Sequence, residues 1–146
     1  MVSISHLVRI KAPVKAVFNC VASAAGIAAW FTDAHCAHYQ QHETLILKFP
    51  HGEIRFIISN LISNAFIVWH CVSEADPWYG TDIEFEFEQQ GNNTIVRFDH
   101  SGWKDVTDLF RDCSLSWAYF LESLKLLVET GKGTPESLAP PCEANT

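Results

Sequence analysis

An α+β fold, in which a curved antiparallel sheet receives one long C-terminal helix, follows from three features of this sequence. From about Asp108 to Thr130, apolar residues recur in steps of three and four, the period of one helix face. Before that stretch, segments alternating between apolar and polar residues follow one another across short turns, the pattern of an antiparallel sheet. Two short helical segments sit directly behind the first strand, so helices fall at the two ends and strands between them.

The first strand carries Ile4, His6, Val8 and Ile10 on one face, with Ser5, Leu7 and Arg9 on the other. Pro13 then opens a short helix bearing Val14, Val17, Phe18 and Val21, since proline is tolerated in a first helical turn. A second short helix around Ala24 to Ala29 leads to Trp30 and Phe31. Leu45, Leu47 and Phe49 form a strand that turns at Pro50-His51-Gly52, followed by Ile54, Phe56 and Ile58 and then by Phe66 to Val72. Asp82 to Gln89 is the cleanest strand: Ile83, Phe85 and Phe87 face one way, Asp82, Glu84, Glu86 and Glu88 the other. After the turn at Gln90 to Asn93, Thr94, Val96, Phe98 and His100 share a face. Six to seven strands are expected in all. The long helix presents Val106, Leu109, Phe110, Cys113, Trp117, Phe120, Leu121, Leu124, Leu127 and Val128 as its apolar stripe. Gly131 and Gly133 stop it, and Pro135 prevents its resumption. Residues 1–135 are expected to form a single domain, and 136–146, with Pro140-Pro141, a loosely held tail.

Composition excludes several function classes. The chain has 146 residues and 48% hydrophobic content, and 10 Lys plus Arg against 17 Asp plus Glu give it a net charge of −7. Nucleic-acid binding draws its affinity from phosphate neutralisation, so that role is not expected, and an anionic membrane surface is disfavoured for the same reason. No apolar run approaches the ~18 residues that span a bilayer, and the first fifteen residues lack a signal peptide's apolar centre, so the expected compartment is the cytoplasm. The five cysteines are scattered without a CxxC pair; Cys20, Cys71 and Cys113 read as small buried hydrophobes.

The chain resembles the helix-grip fold of the START/SRPBCC superfamily, and more narrowly the branch related to activators of the ninety-kilodalton heat-shock protein ATPase. The resemblance is carried by Ile10-Lys11-Ala12-Pro13 with Val17-Phe18, then Trp30-Phe31, His100-Ser101-Gly102-Trp103 and the run from Trp117 to Lys125, and it covers about residues 3 to 132. Eukaryotic activators carry a further N-terminal domain, which is not expected here. The resemblance implies a sheet wrapped around the C-terminal helix with a cavity between them that binds a small hydrophobic or amphipathic molecule. It also implies two alternatives: a protein-interaction module with a chaperone as partner, and a cyclase- or hydrolase-like enzyme acting on polyketide-like substrates.

Cavity candidates on the helix are Phe110, Cys113, Trp117, Phe120 and Leu121, with small Cys113 and Ala118 leaving room beside the rings. From the remainder of the chain come His6, Trp30, Phe85, Phe98, His100 and Trp103. His6 and His100 lie on the apolar faces of the first and last strands, which the resemblance makes neighbours, and they are the one pair that an enzyme would use. Catalysis is the less expected reading, and no cofactor is implied. His35, Cys36, His38, His42 and His51 crowd a short region, but their spacing suits neither a helix face nor a known zinc motif, so no metal is expected. Side chains at i and i+2 of a strand stand roughly 6.6 Å apart, so the row Asp82 to Glu88 reads as a solvated face and not as paired catalytic carboxylates.

Overall fold

The computed structural model describes residues 1–135; the tail expected from Glu136 to Thr146 lies outside the described residues. The elements run β1 (Val2–Ile10), α1 (Val14–Val21), α2 (Ala24–Trp30), β2 (Asp33–His35), β3 (Thr44–Phe49), β4 (Gly52–Ile62), β5 (Phe66–Cys71), β6 (Asp82–Gln90), β7 (Asn93–Trp103) and α3 (Asp108–Thr130). The seven strands form one curved sheet in the order β1-β7-β6-β5-β4-β3-β2, every neighbouring pair antiparallel. The first and last strands are therefore adjacent, with Ile4 opposite His100 and His6 opposite Phe98.

Alternation decides which face is which. Ile83, Phe85 and Phe87 of β6 are buried, as are Val96, Phe98 and His100 of β7, and this concave face receives α3. On the convex face Glu84 stands directly across from Asp99, and Glu86 from Arg97. Like charges directly opposed cost stability. Burial raises the Glu84 pKa, and Asp99 and Asp82 add to that rise.

Helix α3 is bounded by recognisable end signals. Thr107 accepts the Phe110 N–H at 3.2 Å, and Gly131 adopts the left-handed conformation at φ 88°, its N–H bonded to Leu127. Its inner face buries Cys113, Trp117, Phe120, Leu121 and Leu124, and also Ser123, whose hydroxyl accepts the Thr134 N–H at 2.7 Å. The chain after the helix thus folds back, seating Gly133 so tightly that a Cβ there would lie 2.6 Å from the Ala29 carbonyl oxygen. Helix α3 also ties down the neighbouring strand β1. Lys125 Nζ donates to the Arg9 carbonyl at 2.7 Å, and Glu129 accepts the Lys11 N–H at 2.8 Å, so backbone groups beside a sheet edge find partners.

The two short helices close the other side of the interior. Ser23 caps α2 by accepting the Gly26 N–H at 3.0 Å. A Cβ at Gly26 would stand 2.5 Å from the Cys20 carbonyl oxygen, so only glycine allows α1 and α2 this close. The same carbonyl accepts the Trp30 indole N–H at 2.9 Å.

Candidate functional site

The space between sheet and helix is occupied by aromatic rings around Trp117. Its ring centroid lies 4.5 Å from that of Phe98 on the sheet, 4.8 Å from that of Phe31 behind α2, and 6.0 Å from that of Trp78 in the β5–β6 connection. Trp117 is 2% exposed. Phe31 also meets Phe120 and Phe49, joining the helix to β3. Such tilted and edge-on pairs are favourable beyond the area they bury.

A buried polar relay runs through this packing. The Thr81 hydroxyl donates to the Trp78 carbonyl at 2.6 Å, so its oxygen must accept from His100 Nε2, 2.8 Å away. That fixes the proton of His100 on Nε2 and leaves Nδ1 to accept the Trp117 indole N–H at 3.1 Å. The Trp117 indole N–H, both His100 ring nitrogens and the Thr81 hydroxyl then all have partners. His100 is wholly buried, and burial pushes its pKa down to about 3, so the ring is neutral at physiological pH.

His6 lies on the same sheet face, half-buried, where its Nε2 donates to the Ser114 carbonyl of α3 at 3.0 Å. Both histidines thus face the helix, each engaged by separate partners. Of the remaining cavity candidates, Phe85, Cys113 and Leu121 are buried in the core, and Phe110 is half-buried against the Trp103 ring at 5.5 Å. Trp30 lies one layer back, stacked on Phe31 and edge-on to Phe85. Phe31, Trp78 and Thr81 complete the cluster around Trp117 and His100, and the sequence reading singled out none of them as site residues. Phe31 lay in the quoted Trp30-Phe31 pair, but Trp78 and Thr81 sit in a connection with no periodicity to read.

Two surface grooves flank this interior. One, of about 390 Å³, lies between α1 and the start of the β4–β5 turn, lined by Phe18, Ala22, Tyr39 and Leu61; Tyr39 accepts the Trp69 indole N–H at its base. The other, of about 420 Å³, lies between the β5–β6 connection and the loop leading into α3. His35 lies in β2, while His51 stacks on Phe49. Among the described residues no three His, Cys, Asp or Glu side chains converge as metal ligands. Among them also, no helix is long and apolar enough to cross a membrane.

A curved antiparallel sheet gripping a long terminal helix defines a helix-grip protein of the START/SRPBCC superfamily. Within it, the chain belongs to the family described as Activator of Hsp90 ATPase homolog 1-like protein, which matches residues 11–129. Among solved structures, the Aha1 dimer from Colwellia psychrerythraea is similar at 34% identity and a TM-score of 0.82, covering 91% of this chain and 100% of that one. A Staphylococcus saprophyticus protein shares 20% identity at a TM-score of 0.75, with 90% and 95% covered. CalU16 from Micromonospora echinospora shares 19% at 0.74, with 92% and 78% covered. The last two establish likeness of fold alone. No curated protein matches the chain.

Proposed function

We propose that this domain works through its surface, as a protein-interaction module of the Hsp90-activator family, and does not enclose a small molecule between sheet and helix. The observation that carries this reading is Trp117. A container needs an open side at the middle of the helix, and Phe98, Phe31 and Trp78 crowd the indole there while His100 takes up its N–H. The enzyme reading is less supported for a related reason. Both ring nitrogens of His100 are engaged within the protein, and His6 Nε2 is held by Ser114.

The outer face of α3 offers a surface for such contact. Leu115 is 75% exposed, Leu126 43% and Tyr119 40%, all on one stripe together with Arg111, Glu122 and Glu129. The partner that this stripe fits is a second copy of the chain. Two α3 helices packed antiparallel about a two-fold axis between residues 120 and 121 would set Leu115 against Leu126 and Tyr119 against Glu122, and would bring Arg111, opposite Thr130, within one residue of Glu129. Such self-complementarity is what an isologous interface requires. Glu129 already uses Oε2 for the Lys11 N–H and Lys125, so Oε1 is the oxygen that would meet Arg111. The Colwellia relative, a dimer by its description, supports pairing in this family. A chaperone ATPase, the partner that the family description suggests, would then meet a paired module.

Sedimentation equilibrium tests this pairing. The wild-type chain is expected at twice its 16.4 kDa mass, and Leu115→Glu, a change at an exposed helical position, at the monomer mass with unchanged helicity. A monomeric wild type, or a Leu115→Glu variant that still pairs, would remove the proposed interface.

A further inference from the structure

The two edges of the sheet are protected unequally. At one edge β2 runs for only three residues, too short to offer a template. At the other, β1 runs for nine residues and is covered over part of its length. The N–H and C=O of a strand residue point to the same side, and successive residues alternate. The Arg9 carbonyl and the Lys11 N–H turn outward to Lys125 and Glu129, so Ser5 and Leu7 turn outward as well, while Ile4, His6 and Val8 face β7. Among the described residues the outward backbone groups of Ser5 and Leu7 have no partner. Both residues are exposed, Leu7 at 44%. The cause lies in α3, where residues 114, 118, 125 and 129 share the side that runs along β1. Lys125 and Glu129 are long enough to reach the edge; Ser114, whose carbonyl meets His6, and Ala118 are short and leave it open. The register shift between Val2 and Ile4 bounds the open stretch at its other end.

The complement of such an edge is another extended backbone. A strand laid antiparallel, as every pair in this sheet is, would exchange two hydrogen bonds with Ser5 and two with Leu7. The convex face specifies which side chains that strand carries. Leu7 favours an apolar neighbour. Beyond Ser5 stands Asp99, which accepts the Ser5 hydroxyl, and directly across from Asp99 stands Glu84. Among the described residues neither carboxylate has a cationic partner, and Arg9 has no acidic one. Ser5 is small, so a Lys or Arg on the added strand can lie across it towards Asp99, two strand spacings or roughly 9.6 Å away. A second β1 strand would supply the apolar and the basic residue, but it would set Ser5 against Arg9. A partner with a carboxylate at that place fits better.

We propose that the Ser5–Leu7 stretch of β1 takes up an extended segment of a partner protein as an eighth, antiparallel strand, with a carboxylate beside Arg9, an apolar residue beside Leu7 and a cation beside Ser5. This binding mode rests on the domain being a protein-interaction module. It uses the β1 edge and not the outer stripe of α3, so a chain that proved monomeric would leave it standing.

Backbone amides of the ¹⁵N-labelled protein provide the test. In the free protein the Ser5 and Leu7 amides are expected to exchange with solvent rapidly, and those of His6 and Val8 slowly. The probe is the peptide acetyl-Thr-Glu-Thr-Val-Thr-Lys-Thr-amide, which places Glu, Val and Lys beside Arg9, Leu7 and Ser5; the control is the same peptide with Glu and Lys interchanged. The probe is expected to shift the Ser5 and Leu7 signals progressively, with a Kd on the order of 1 mM, and the control to bind about tenfold more weakly. Leu7→Pro removes the outward N–H, leaves the ladder to β7 intact, and is expected to abolish the Ser5 shift. If that variant fails to fold, Arg9→Glu serves, and it should bring the two peptides to about equal affinity. The mass of the protein in the same samples reports the α3 pairing separately. Slow exchange of the Ser5 and Leu7 amides in the free protein, as when its own tail or a second copy covers the edge, would overturn the proposal. So would an unmoved Ser5 signal, equal binding of the two peptides to the wild type, undiminished binding by Leu7→Pro, or an unchanged peptide preference in Arg9→Glu.

Discussion

Replacing Trp117 by alanine is expected to cost about 3–5 kcal/mol of folding stability, the full range for a large buried aromatic. Three aromatic neighbours lose their contact surface, and His100 Nδ1 is left as a buried acceptor without its donor. Because a domain of this size is stable by only about 5–15 kcal/mol, the variant should stand near the edge of unfolding. Urea denaturation of the wild type, Trp117→Ala and Trp117→Phe separates the contributions. Trp117→Phe keeps much of the packing and removes the N–H, so its loss should be about 1–3 kcal/mol. A Trp117→Ala penalty well below the core range would mean that one side of the indole faces open space. The small-molecule container would then be the better reading.

The second large effect is a dependence of stability on pH that traces to His100. In the unfolded chain this imidazole titrates near its ordinary value of 6.5, whereas burial holds it at about 3 in the fold. Above pH 6.5 both states are neutral at this site and proton binding contributes nothing. As pH falls below 6.5 the unfolded state takes up a proton that the folded state refuses, so stability declines by up to about 1.4 kcal/mol per pH unit until the folded value is reached. Between pH 7.5 and 5, before most carboxylates titrate, the expected loss from this one group is about 2 kcal/mol. His100→Gln retains a donor and an acceptor near the ring positions but cannot take up a proton, so its stability profile should be flatter by that amount. Parallel profiles for wild type and variant would show that His100 is not held neutral by the fold.

What was legible in the sequence, and what was not, divides along physical lines. Helix α3 reads directly because its apolar stripe is long, and the glycine stop has a steric cause that does not depend on the remainder of the chain. Strand β6 reads as easily, since Ile83, Phe85 and Phe87 alternate with four carboxylates. Strand β2 is different: three residues, Asp33–His35, paired with β3 alone, are too few to show a period. The surroundings of Trp117 were legible only from the helix side. Its position on the stripe shows that it points inward, but not what it meets. Phe31 reaches it from just beyond the end of α2, and Trp78 from a ten-residue connection between β5 and β6, through tertiary contacts that no local pattern encodes. The same holds for His100. Its place on the apolar face of β7 was evident, whereas its fixed proton depends on Thr81, nineteen residues away in sequence.

The convex face shows why an acidic row was uninformative about chemistry. Asp82 pairs with His70 at 2.7 Å, and Glu88 with Arg97 at 2.7 Å, both at partly exposed positions where such pairs contribute little. These carboxylates keep the outer surface wet. The groove between the β5–β6 connection and the loop entering α3 depends instead on chain segments that only the fold brings together.

The claim that the sheet–helix interior is filled, and that the domain acts by pairing through its surface, is tested most directly by native mass spectrometry of the protein purified from its own cells. The account predicts a species of twice the 16.4 kDa chain mass with no small molecule retained. A chain that carries a tightly held apolar molecule, released when Trp117 is replaced, would contradict it.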